Sequence, residues 1–279
     1  MRPVLTATSL TCLLASTLFY TGAGHGAVFR LSATIHNEPI RAASPATSLS
    51  ARRLRSLIGR EWSVLPTRRR VIALTFDGGS NAAGASIVLR TLRRTNVRGT
   101  FFLSGRFVTL HPRTARAIAA RYPVGNHSYD HPHMTALSDA SVRAEIVRAR
   151  RIISRVTGQN PRPLFRFPYG DADFRVIRIA NRLGYQGIRW TIDTLGWEGV
   201  SAGQSLASVA SRVRENIRPG AIVLMHLGSS PDHSTLDAHA LASVIALIRA
   251  RGYSFVTLDQ FFSRGKKELA QRWSDQSSK

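Results

Sequence analysis

Val71-Ile-Ala-Leu-Thr-Phe-Asp-Gly-Gly79 constrains the fold of this chain more than any other stretch. It is a short apolar run, branched at Val71 and Ile72, that stops abruptly at an acidic residue and two glycines. Such a run is expected to form a buried strand of a parallel sheet, delivering Asp77 to a tight turn where another group can approach the backbone closely. Taken alone, Asp77 reads more readily as the cap of the next helix. The later chain favours chemistry, because further apolar runs also end in polar, reactive residues.

The pattern of short apolar run followed by helical spacing then repeats. Residues 83–94 place Ile87, Val88 and Leu92 at helical intervals, and residues 99–103 form a second strand. A helix over 114–121, a short strand over 123–126 and a long helix opening at the cap Ser138 come next. That long helix puts Val142, Ile146, Ile153 and Val156 on one face and ends at Gly158. Strands are expected at 164–167, 186–192, 221–225 and 253–257, with helices over 174–183, 206–217 and 238–251 between them. Alternating strands and helices imply an α/β fold with a helix-covered parallel sheet, and seven such units point to an incomplete or distorted barrel.

The ends of the chain read differently. Arg2, an apolar stretch from Val4 to Tyr20 and the small residues after it give residues 1–27 the layout of a secretory signal, with cleavage expected after Ala23. An uncleaved membrane anchor is the alternative. Cys12, the only cysteine, lies in this segment, so cleavage would leave a chain without thiols and without disulfide or cysteine chemistry. Residues 28–69 are rich in Arg, Ser, Ala and Pro and are expected to be a basic linker or extension; residues 263–279 form a polar tail. This leaves 70–262 as a single catalytic domain. The net charge of +23 is spread along the chain without zinc-finger spacing or an arginine-rich tail. That distribution favours an anionic cell wall or membrane surface over nucleic acid as the partner.

In a parallel barrel the strand ends converge on one face, so residues distant in sequence can meet there. They are Asp77, His127-Ser-Tyr-Asp-His131, Arg166-Phe-Pro-Tyr-Gly170, Asp193-Thr-Leu-Gly-Trp197 and His226. His127 and His131 are four apart, which in a helical turn would aim both imidazoles the same way. Two hydrogen-bonded loop histidines are the plain alternative, and a carboxylate with a third histidine at other strand ends tips the balance toward a metal. His111, His133, His233 and His239 lack such placement and read as loop or surface residues. Neither GxSxG nor GxxxxGK[ST] occurs, which argues against a serine hydrolase of the common α/β type and against a P-loop enzyme. Metal-assisted hydrolysis is the reaction class left.

At these motifs the chain resembles the polysaccharide deacetylase family, carbohydrate esterase family four, over residues 70–262. Thr75-Phe-Asp-Gly-Gly79 resembles TFDDG, His127-Ser-Tyr-Asp-His131 resembles H(S/T)xxH, and Arg166-Phe-Pro-Tyr-Gly170 resembles RxPYG. Trp197 resembles the tryptophan of DxxDW and Leu224-Met-His226 the final leucine and histidine motif. The resemblance implies a distorted (β/α)7 barrel that removes acetyl groups from N-acetylglucosamine-type sugars in peptidoglycan or a chitin-like glycan. It implies a divalent metal, commonly zinc, on His127 and His131 with Asp77 beside them, lowering the pKa of a water. Asp77 would be the base, steadied by Arg166, and His226 the acid that protonates the leaving amine. The Tyr169 N–H would help hold the oxyanion, and Trp197, Leu224 and Asp193 would line the substrate pocket.

Two departures from the family pattern stand out. Gly78 replaces the usual metal-binding aspartate, and Gly196 replaces the aspartate that usually tunes the acidic histidine. Asp77 could become a direct ligand, or Asp193 could serve His226. The competing readings are an O-acetyl glycan esterase using the same machinery and a degenerate, glycan-binding pseudoenzyme.

Overall fold

β1 (Val71–Gly78) is buried along its whole length, as an apolar strand between two parallel neighbours must be. Alternation divides its side chains between two cores. Ile72, Leu74 and Phe76 pack beneath the helices with Val88, Leu92 and Leu241, whereas Val71 and Ala73 face inward with Phe102, Leu164 and Ile222. Thr75 and Asp77 continue the inward row, so the carboxylate arrives inside the sheet at its C-terminal end.

The computed structural model describes residues 59–79, 81–228 and 232–262. The expected export segment, all but the end of the basic extension, and the polar tail lie outside them. By compactness the chain divides into Met1–Ala43 and Ser44–Lys279, and every described residue belongs to the second unit. The other strands are β2 (Thr100–Leu103), β3 (Val124–Asn126), β4 (Leu164–Phe165), β5 (Gln186–Gly187), β6 (Ile192–Asp193), β7 (Ile222–His226) and β8 (Ser254–Phe255). The helices are α1 (Ala85–Arg94), α2 (Gly105–Leu110), α3 (Pro112–Ala119), α4 (Asp139–Thr157), α5 (Phe174–Arg182), α6 (Leu206–Asn216) and α7 (Leu236–Ala250). All pairings between these strands are parallel, in the order β5-β4-β3-β2-β1-β7-β6, with β8 joining the start of β1. The result is the curled, helix-covered α/β sheet of a distorted (β/α)7 barrel.

Three features depart from the sequence expectation. The strand expected at 186–192 is two short pieces, because its backbone changes partners: the Ile188 N–H bonds Phe165 on one side of the sheet, and the Thr191 N–H bonds Ile222 on the other. The stretch between spans the opening of the barrel. Residues 59–65, expected to be linker, help fill that opening. Trp62 exchanges backbone hydrogen bonds with Gly187 and Arg189, Leu65 bonds Gly220, and Trp62 stacks on Phe262 at 4.6 Å. Trp62 and Leu65 are thereby buried in the inner core. Helix α2 was not expected, being too short to show a period; Ser104 caps it by accepting the Phe107 N–H. The long helix α4 matches its signals, with the Ser138 side chain accepting the Ser141 N–H and Gly158 in the left-handed conformation at φ 72°.

Candidate active site

The C-terminal ends of β1, β3, β4, β6 and β7 border a cavity of about 860 Å³. Its volume lies in the range of roughly 300–1,000 Å³ common for ligand sites. Asp77, His127, His131, Tyr169, Asp193, Trp197, Leu224 and His226 all line it, joined by Trp190 and Arg106, which sequence reasoning did not single out. Arg166 lies behind Asp77, fully buried.

Asp77 is held from below. Arg166 donates from one terminal guanidinium nitrogen to Asp77 Oδ1 at 2.7 Å, and its other nitrogens donate to the Ile188 and Arg189 carbonyls. The guanidinium also sits 4.2 Å above the Phe102 ring. Burial opposes ionisation of Asp77, but the charge and hydrogen bond of Arg166, with His226 nearby, outweigh it and hold the carboxyl below its ordinary range. Asp77 Oδ2 is left toward the cavity, 3.5 Å from His127 Nε2.

The His127–His131 segment is not a helical turn. Ser128 and His131 both take positive φ, at 60° and 62°, and Ser128 Oγ accepts the His131 N–H. Glu145 on α4 accepts the N–H groups of Tyr129 and Asp130, and Asn126 Oδ1 accepts that of Ser128. This wiring brings the two Nε2 atoms to 3.1 Å. His127 Nδ1 lies 2.9 Å from the Arg166 carbonyl, which can only accept, so Nδ1 carries the proton and Nε2 keeps its lone pair. Burial keeps both rings neutral, lowering the pKa of His127 and, together with the neighbouring His127, taking that of His131 down to about 3.

These two neutral imidazoles suit one edge of a divalent metal site. Among the described residues no three His, Cys, Asp or Glu side chains form a ready metal cage. Asp77 Oδ2 lies beside them, 3.5 Å from His127 Nε2. A Cβ on Gly78 would stand 2.9 Å from Leu103 Cδ2 and 3.3 Å from the Phe107 ring, so an aspartate there needs those apolar groups to move. A Cβ on Gly79 would instead meet the His131 ring at 3.2 Å.

His226 ends β7 directly beside Asp77 in the parallel register. Trp197 lies over it, 6.0 Å between ring centroids. The carboxylate beside its Nδ1 is Asp237 of α7, at 3.5 Å; Asp193, the sequence candidate, accepts the Leu195 N–H through Oδ1. Burial lowers the His226 pKa, but Asp237, Asp77 and Asp193 more than reverse this and raise it above the ordinary histidine value. In sequence Asp237 is an acid in a first helical turn, a position explained fully by the helix dipole, so nothing there pointed to the site. Tyr169 holds φ 59° at the cavity wall, its ring stacked at 4.2 Å on His133, which is exposed as expected of a surface histidine.

The chain resembles known proteins over this region. A sequence profile described as Polysaccharide deacetylase matches residues 65–188. A peptidoglycan-N-acetylglucosamine deacetylase of Bacillus cereus is 31% identical over 204 residues, 72% of each chain. The crystal structure of Bacillus subtilis PdaA, a family 4 carbohydrate esterase, aligns with TM-score 0.67 and 27% identity over 76% of this chain and 90% of that one. A mutant of a Bacillus anthracis family pseudoenzyme with restored enzymatic activity aligns with TM-score 0.63 and 32% identity, over 69% of this chain and 67% of that one. With the barrel, the strand-end motifs and these likenesses together, the chain belongs to the polysaccharide deacetylase family, hydrolases acting on the N-acetyl amide bonds of glycans.

Proposed function

We propose that this chain is an exported, metal-dependent N-deacetylase of N-acetylglucosamine-type units in a cell-envelope glycan, with peptidoglycan as the first candidate. The observation that carries the reading is the pairing of Asp77 with His226 on adjacent strand ends, one carboxylate held ionised and one imidazole held basic, facing the same cavity. Amide hydrolysis needs both a proton acceptor for water and a proton donor for the amine. The Bacillus cereus relative, the apolar start of residues 1–27 and the net charge of +23 support the substrate and the envelope location.

His127 and His131 would hold a divalent cation such as zinc, with Asp77 Oδ2 next to them. Bound there, such a cation would supply Lewis acidity toward the acetyl carbonyl and a water. Asp77 Oδ2 accepts the water proton, and Arg166 keeps Oδ1 fixed so that Oδ2 faces the substrate. The Tyr169 N–H is assigned to the oxyanion. His226 delivers its proton to the amine nitrogen as the C–N bond breaks. Trp197, Leu224 and Trp190 give the acetyl group and sugar an apolar wall.

The glycan-binding alternative is favoured by Gly78, which removes a carboxylate from the metal site, and by the likeness to a pseudoenzyme. Acetate release from peptidoglycan, chitooligosaccharides and acetylated xylan, measured before and after chelation and zinc re-addition, decides between the readings. Zinc-restored release from the N-acetylated glycans is expected. Glycan binding without acetate release would establish the alternative, and release from xylan alone would establish an O-acetyl esterase.

A further inference from the structure

Gly196 stands where the family usually carries an aspartate, and the structure shows what occupies the room instead. A Cβ on residue 196 would lie 2.7 Å from Asp237 Cγ and closer still to its Oδ1. Asp237 is 3% exposed and firmly seated: the Thr194 hydroxyl lies 2.6 Å from Oδ1, and the His226 backbone N–H donates to Oδ2 at 2.8 Å. The same Oδ2 is the carboxylate oxygen beside His226 Nδ1, a buried ring nitrogen that has no hydrogen-bond partner among the described residues. At 3.5 Å, a small turn of the ring converts that approach into a hydrogen bond.

We propose that Asp237 is the positioning residue of His226, supplying from α7 the carboxylate that this chain lacks at position 196. Asp237 holds the imidazole with Nδ1–H toward itself, which leaves Nε2 to face the cavity and the leaving amine. Because a side chain at 196 and the carboxyl of Asp237 claim the same space, the two positions are alternatives: a chain of this shape carries one acid or the other. The catalytic consequence rests on the deacetylase reading; the orientation of the ring does not.

Asp237→Asn keeps the shape and can keep both hydrogen bonds, since its carbonyl accepts the His226 N–H while its amide donates to the Thr194 hydroxyl. It removes only the charge facing Nδ1. The expected result is a fall in kcat of about tenfold or more with KM nearly unchanged, out of the full contribution of a general acid. Asp237→Ala should lose at least as much, and Gly196→Asp added to Asp237→Ala should recover most of that loss by returning the carboxylate along the other route. Nitrogen NMR of histidine-labelled wild-type protein should find His226 Nδ1 protonated. Wild-type kcat in Asp237→Asn, no recovery in a folded double variant, or a neutral His226 protonated only at Nε2 would each overturn the proposal. If the variants do not fold, the spectrum of the wild-type chain decides. If the wild-type chain releases no acetate, the deacetylase reading fails, while the NMR result still judges the assignment of Asp237.

Discussion

Replacing Arg166 by Met tests how the base is held. The substitution keeps an unbranched apolar side chain against Phe102 but removes three hydrogen bonds and the buried partner of Asp77. Hydrogen bonds to charged groups are worth about 1.5–3 kcal/mol each, but their sum overstates the effect because burying the guanidinium is itself costly. Breaking a buried ion pair from one side costs about 3–5 kcal/mol. For a urea dependence of about 3 kcal/mol per molar, the midpoint should fall by about 1–1.7 M near pH 7. The contribution of Asp77 to the pH dependence should also reverse. In the wild-type chain the Asp77 pKa lies below its unfolded value, so its contribution is present above the unfolded pKa and is lost as pH falls through the folded one. Without Arg166, burial dominates and raises the folded pKa, so the stability deficit of the variant relative to the wild type should grow as pH rises above about 4, on top of the histidine-linked trend that both proteins share. Urea melts between pH 4 and 7 measure both effects. A midpoint shift below about 0.3 M, or a deficit relative to the wild type that does not grow between pH 4 and 7, would refute this account of Asp77.

Three further outcomes are expected. The metal-free chain should lose stability as pH falls below about 6.5, by up to about 1.4 kcal/mol per pH unit for each of His127 and His131, because the unfolded histidines take up protons that the buried rings refuse; urea melts in chelator would show it, and a flat profile would contradict neutral burial. Gly78→Asp should lower the melting temperature of the metal-free chain, at a cost of about 1–3 kcal/mol from crowding Leu103 and Phe107, so an unchanged melt would show that those side chains yield freely. His131→Ala should reduce zinc affinity and acetate release together, measured by calorimetry and a coupled assay; retained affinity would remove His131 from the metal site.

Much of the barrel was readable because its signals are local. β1 is a continuous apolar run ending at Asp77, and α4 is bounded by Ser138 and Gly158, each acting through its own backbone neighbours. The convergence of Asp77, His127, His131 and His226 followed from parallel topology alone. The unread parts depend on contacts between distant segments. Trp62 and Leu65 sit in an arginine-rich stretch and are buried only because the barrel leaves an opening there. The strand at 186–192 breaks because its two ends pair with different sides of the sheet. His127 and His131 meet through two left-handed residues and the distant Glu145, not through helical spacing. The carboxyl of Asp237 fills the space that a side chain at residue 196, 41 positions earlier, would need, a relation visible only in space.

Acetate release from N-acetylglucosamine-containing peptidoglycan, compared for the zinc-loaded wild-type chain and Asp77→Asn, tests the central claim most directly. The wild-type chain should release acetate and free amines in equal amounts, and Asp77→Asn should be slower by about a hundredfold or more. Equal rates for the two proteins would show that Asp77 is not the base and that the strand-end site does not perform the reaction.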